Sequence, residues 1–171
     1  GGGGGSGTPS DPPVPGGESG GTVPPPLPHS GDRALEVRAP GTAAQAEAHF
    51  ILGTDANPPK PTFAVAAGDV LFAYVWLDPD EPPREVMLQW NAGGTWEHRA
   101  YWGLDLIPLG QAGTASKWSM GSLPATGEWV RLEVPAARVG LEGQMVRGMA
   151  FNGHGGRAVR DRVGTAPRLS R

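Results

Sequence analysis

The side chains best suited to chemistry are concentrated between Asp78 and Tyr101. Glu85 and Glu97 form a carboxylate pair of the kind used in glycoside hydrolysis, and Glu97-His98-Arg99 sets a base between two charges. In a strand, however, successive side chains point to opposite faces. His98 then shares a face with Trp96, Ala100 and Trp102, while Glu97 and Arg99 share the other with Thr95 and Tyr101. A histidine flanked by tryptophans reads as buried and hydrogen-bonded. Glu85 and Glu97, with Arg84 and Arg99 beside them, read as a solvated ion-pair ladder. Asp78, Asp80 and Glu81 could hold calcium through hard oxygens, although Asp-Pro is equally a strand-ending turn. Calcium is the one cofactor that the residue types suggest. The one Gly-x-Ser-x-Gly match, Gly17-Glu-Ser-Gly-Gly21, lies in a Gly-rich stretch with no strand or helix pattern around it, and no His-Glu-x-x-His pattern occurs. The histidines are His29, His49, His98 and His154, and their placement makes a histidine metal site unexpected. No catalytic residue is assigned, and the expectation is a protein that is not an enzyme.

Sugar binding has the best physical basis. Tryptophan and tyrosine rings stack on the apolar faces of sugars while amide, carboxylate and guanidinium groups satisfy the hydroxyls at the rim. The outer face of the hairpin over residues 85–102 would present Tyr101 with Gln89, Glu97 and Arg99, joined by Trp118 and Trp129. Of the six tryptophans, at least three should be core.

Those residues need a frame, and the frame is β. Residues 70–77 are a continuous apolar and aromatic run bounded by turns, as expected of a central strand covered on both faces. Residues 85–90 and 95–102 alternate, with Val86, Leu88 and Trp90 on one face, and residues 91–94 form a four-residue loop between them. Residues 35–38, 62–65, 128–134, 145–151 and 158–163 supply further strands. Residues 43–52 are ambiguous, with the end at His49-Phe50-Ile51-Leu52 favouring strand. Residues 55–61 form a proline-rich loop, 153–156 a glycine turn, and 103–123 a long connection of the kind that is functional or locally folded. Seven or eight strands make an all-β, antiparallel β-sandwich or jelly roll over residues 32–164.

Residues 1–31 are almost all glycine, proline and small polar residues, which bury too little surface to fold. They read as a disordered Gly/Pro-rich tether, floppy over residues 1–7 and stiff at Pro24-Pro25-Pro26. Residues 165–171 read as a basic tail, continuing an arginine cluster at Arg157, Arg160 and Arg162. With no cysteine, a formal charge of -3 and a pI near 5.8, the chain has no disulfide, thiolate site or basic field for nucleic acid. No apolar run is long enough to span a bilayer.

Two stretches carry a family resemblance: Leu71-Phe-Ala-Tyr-Val-Trp-Leu-Asp-Pro79 with Pro82-Pro-Arg-Glu-Val-Met-Leu-Gln-Trp90, and Gly94-Thr-Trp-Glu-His-Arg-Ala-Tyr-Trp-Gly103. Gly127-Glu-Trp-Val-Arg-Leu-Glu-Val-Pro135, Val139-Gly-Leu141 and Gly148-Met-Ala-Phe151 follow in the same order. The chain resembles accessory β-sandwich modules of large exported bacterial proteins, such as RHS/YD-repeat and planctomycete multidomain proteins. The resemblance implies a secreted or cell-surface module of concanavalin-like or jelly-roll architecture, and it brings no catalytic residues. Where such modules tend to carry an aromatic residue before Asp in the last strand, this chain has Arg160 before Asp161. A lipid anchor upstream of Gly1 fits a Gly-rich tether. The expected function is a non-catalytic extracellular module binding polysaccharide or another surface component. The alternatives are a structural or protein-interaction spacer and, further off, a small carboxylate-dependent hydrolase.

Overall fold

The computed structural model describes residue 24 and residues 26–31, 33–39, 45–51 and 62–168, with the backbone alone for 48–51. Expectations for residues 1–23, for the 55–61 loop and for Arg171 lie outside the described residues.

The fold is an all-β sandwich. Its ten strands among the described residues are β1 (Leu35–Ala39), β2 (Gln45–Ile51), β3 (Phe63–Ala64), β4 (Asp69–Leu77), β5 (Glu85–Ala92), β6 (Thr95–Gly103), β7 (Trp118–Ser119), β8 (Trp129–Pro135), β9 (Met145–His154) and β10 (Gly156–Pro167). One sheet has the order β1-β10-β4-β8 and is antiparallel throughout. The other runs β2-β9-β5-β6-β7, with β3 also paired to β9. The ambiguous stretch resolves as strand, pairing Gln45 with His154 through Ile51 with Gly148.

The core lies between the two inner faces, where the period-two pattern places it. Leu71, Val75 and Leu77 of β4 meet Leu88, Trp90 and Phe151 of the opposite sheet, and none of these is more than 1% exposed. β4 is central, between β10 and β8, and buried on both faces as expected. Trp76, Trp90 and Trp102 are buried, while Trp96, Trp118 and Trp129 are half-buried. A 3-10 turn over Ala136–Val139 closes one end, and the carbonyl of Val139 lies 2.7 Å from His98 Nδ1. His98 therefore faces inward, away from Glu97 and Arg99.

Three local expectations change. The hairpin loop is two residues, not four: Ala92 pairs with Thr95, and Gly93 and Gly94 have φ of 59° and 82°. Two consecutive positive φ angles make the tight turn whose twist matches the strands, and an irregularity between Trp90 and Ala92 absorbs the extra length. The 153–156 loop shrinks to Gly155, because β9 reaches His154 and β10 begins at Gly156. Finally, β6 and β7 run parallel, so the second sheet is mixed rather than wholly antiparallel.

Candidate functional site

The hairpin places Gln89 opposite Arg99 on the outer face of the larger sheet. The two side chains do not present open polar groups to solvent. Arg99 Nε donates to Gln89 Oε1 at 2.6 Å, and its terminal nitrogens donate to both carboxylate oxygens of Glu97 at 3.1 and 3.0 Å. Gln89 Nε2 donates to Asn152 Oδ1 at 2.6 Å, and Asn152 Nδ2 donates to Glu47 Oε2, also at 2.6 Å. A continuous ladder thus crosses β6, β5, β9 and β2. Its middle members are buried, with Gln89 at 4%, Arg99 at 5% and Asn152 at 0% exposure. The hydrogen bonds from Arg99 hold the Glu97 carboxyl below the usual carboxylate range.

The connection between β6 and β8 covers the neighbouring part of this face. Met87, Tyr101 and Ile107 form a second small core beneath it. Glu85, fully buried, fastens it: Oε2 accepts the backbone N–H groups of Leu106 and Ile107 at 2.6 and 2.7 Å. Lys117 reinforces the loop from within, donating to the Ile107 carbonyl at 2.5 Å, pairing with Asp105, and lying 5.4 Å from the Tyr101 ring. Burial pushes the Glu85 carboxyl above its ordinary value. Its Oε1 and the Nδ1 of the cross-strand His154 are buried with no hydrogen-bond partner among the described residues.

Asp78 occupies a different kind of position. Its Oδ1 accepts the backbone N–H groups of Asp80 and Glu81 at 2.8 and 3.2 Å, and its Oδ2 takes Arg157 at 2.9 Å. Burial opposes ionisation, but the Asp80 N–H, the Arg157 guanidinium and the Glu81 N–H together hold Asp78 below its ordinary value. Glu81 pairs with Arg38 at 2.8 Å. Of the three carboxylates expected for calcium, Asp78 and Glu81 thus have oxygens on nitrogen donors, and no group of three or more potential ligands is gathered among the described residues. Arg157, first in the arginine cluster that leads to the basic tail, is 5% exposed and joins Asp78 to Glu36.

The outer face of the four-stranded sheet is aromatic. β4 contributes Phe72, Tyr74 and Trp76, and β8 contributes Trp129, whose Cα pairs with that of Trp76. The Arg131 guanidinium lies 4.1 Å from the Phe72 ring and 5.9 Å from that of Tyr74. Phe72 and Trp76 are buried, whereas Tyr74 and Trp129 are half-buried. Onto those two rings comes a short segment from the end of the expected tether. His29 stacks on Tyr74 with ring centres 3.7 Å apart and planes at 20°, and meets Trp129 edge-on at 6.0 Å. Trp129 Nε1 donates to the Leu27 carbonyl at 3.0 Å, and the Ser30 N–H donates to Asp161 Oδ2 at 2.6 Å.

The six residues expected to bind sugar are therefore distributed over three places. Gln89, Glu97 and Arg99 are joined in the ladder; Tyr101, 8% exposed, lies beside them under the loop. Trp118 sits on the edge strand β7, packed against the core with Arg138 4.7 Å from its ring. Trp129 belongs to the other sheet. Sequence reasoning missed Tyr74, because a wholly apolar strand gives no cue to which ring faces out. It also missed His29, whose surroundings read as linker. No family model matches the chain, and no curated protein matches it. Among the described residues, no helix is long and apolar enough to cross a membrane.

Proposed function

We propose that the chain is a non-catalytic accessory binding module of a secreted or cell-surface protein, with its ligand surface on the aromatic face of the four-stranded sheet. The supporting observation is the pairing of two half-buried rings, Tyr74 and Trp129, on one face beside Arg131 and Glu133, which are themselves paired at 2.7 Å. Rings with a charged rim are what stacking ligands require. The glycan expected from the sequence would then meet Trp129 and Tyr74, and not Tyr101, Gln89, Glu97 and Arg99. A non-catalytic role is supported by the state of the carboxylates: Glu97 is held by Arg99, and Glu85 is enclosed by the loop it fastens. Export rests on the resemblance to accessory modules of large exported bacterial proteins.

The test is a panel of soluble polysaccharides and peptides screened against the wild-type chain and single variants. Binding should be lost in Tyr74→Ala and Trp129→Ala, both still folded, and kept in Trp118→Ala. Loss in Trp118→Ala alone would move the surface to the β7 edge. A second reading, a folded spacer, is favoured by one observation: both outer faces are partly covered by the chain itself. It predicts no binding across the whole panel.

A further inference from the structure

Resting on the aromatic face proposed above, a more specific inference concerns what that face takes. We propose that it is a docking site for a short, proline-containing peptide of a partner protein, and that residues 26–30 of this chain are its resident intramolecular ligand.

The contacts are those of peptide recognition rather than of chain packing. Leu27 is 87% exposed, so its side chain is not what holds the segment. What the protein grips is backbone: the Leu27 carbonyl by the Trp129 indole N–H, and the Ser30 N–H by the Asp161 carboxylate. Between these two anchors lie Pro28 and His29. Pro28 is half-buried and has no N–H to leave unsatisfied. His29 lays its ring on Tyr74. The site thus reads a carbonyl, a proline, a flat ring and an N–H in succession. A proline-bearing segment presents that pattern at reduced ordering entropy, because the proline's φ is fixed in advance. Aromatic grooves with an indole donor are a general solution for such ligands. A glycan could use the same rings and donate its hydroxyls to Asp161; what favours a peptide is the segment already seated there, with a carbonyl on the indole N–H and an N–H on the carboxylate three residues beyond it.

Because the resident segment is tethered a few residues from β1, its effective concentration is high, of order millimolar or above. A partner peptide must displace it, so wild-type affinity in trans should be weak. The segment can be loosened in the full chain by Pro28→Gly with His29→Ala and Ser30→Pro, the last removing the N–H that Asp161 accepts. The probe is a synthetic peptide of residues 22–31, and the readout is the set of indole N–H resonances of the six tryptophans. Trp129→Phe identifies the relevant signal and keeps a ring in place.

The expected result has three parts. The Trp129 resonance should move in the loosened chain and return on adding peptide. The peptide should bind the loosened chain at least about tenfold more tightly than wild type. Trp129→Phe in the loosened chain should weaken that binding by about tenfold. If cello-, chito- or manno-oligosaccharides shift the Trp129 signal in the loosened chain and the peptide does not, the peptide inference is overturned while the binding face survives. If neither probe moves it, and Trp129→Phe leaves the His29 and Ser30 signals of the wild-type chain unchanged, both readings fall.

Discussion

Replacing Glu85 with alanine tests how the outer face of the larger sheet is kept closed. The carboxylate accepts two short hydrogen bonds, from the N–H groups of Leu106 and Ile107 at 2.6 and 2.7 Å. A hydrogen bond to a charged group contributes about 1.5–3 kcal/mol, so the gross loss is about 3–6 kcal/mol. Relief of the buried charge offsets part of this, since burial already pushes the Glu85 carboxyl upward; an offset of about 1–2 kcal/mol leaves a net loss of about 1–5 kcal/mol. The effect should be local, because the two bonds fasten a loop rather than the inter-sheet core. Amide hydrogen exchange at Leu106 and Ile107 should therefore accelerate by roughly fivefold to several thousandfold, at about 1.4 kcal/mol per tenfold. Amides in the middle of β4 should stay protected. Glu85→Gln keeps an acceptor oxygen in place and should show a much smaller change. Unchanged exchange at Leu106 and Ile107 in Glu85→Ala would refute the claim that this side chain holds the loop.

The same residue gives a pH signature. Its folded pKa is raised above the ordinary 4.5, so folding favours the protonated form. The stability of the wild type relative to Glu85→Gln should therefore rise as the pH falls from neutrality through the folded pKa towards 4.5, measured by urea unfolding at several pH values; a fall over that window would contradict it. Arg157→Ala strands a buried carboxylate at Asp78, whose partner distance is 2.9 Å. The expected cost is about 3–5 kcal/mol by urea unfolding, and less for Arg157→Ala combined with Asp78→Asn. Gly156→Ala should cost at least about 2 kcal/mol, because φ is +70° and the added Cβ would lie 2.3 Å from the Glu81 carbonyl oxygen. Gly94→Ala, at φ +82° with nothing within 4 Å, should cost only about 1 kcal/mol by the same thermal or urea measurement. Trp90→Ala removes a ring with 0% exposure and should lose about 3–5 kcal/mol.

What was legible in the sequence was whatever depends on near neighbours. Val86, Leu88 and Trp90 alternate, so their inward facing follows from the pleat, and the inward His98 follows from the same count across the hairpin. The site was less legible because it is built from contacts between distant residues. Glu85 meets Leu106 and Ile107 only through a loop that has no period of its own. In residues 70–77 every position is apolar or aromatic, so Tyr74 carries no mark distinguishing it from Val75. The Arg99–Gln89 pairing could be anticipated from cross-strand register, but its extension to Asn152 and Glu47 needs the strand order β2-β9-β5-β6. Composition assigned His29 to a tether, and composition cannot register that one imidazole stacks on a ring more than forty residues away.

The two outer faces are covered in physically different ways, and that difference bears on where the proposed ligand would have access. On the larger sheet the cover is an internal loop fastened at both ends by strands, held by a buried carboxylate, a buried lysine and a small apolar core. Opening it breaks several charge-assisted bonds and exposes Met87 and Ile107 at once, which makes the closed state the stable one. On the four-stranded sheet the cover is a short segment, held by one indole hydrogen bond, one ring stack and one carboxylate contact. The indole hydrogen bond and the ring stack each contribute about 1 kcal/mol and the single carboxylate contact about 1.5–3 kcal/mol, with no apolar core beneath them. Such a cover is exchangeable by a ligand offering the same groups, whereas the loop is not. On the proposed reading, a ligand at the aromatic face of Tyr74 and Trp129 would compete with that internal contact instead of with the fold.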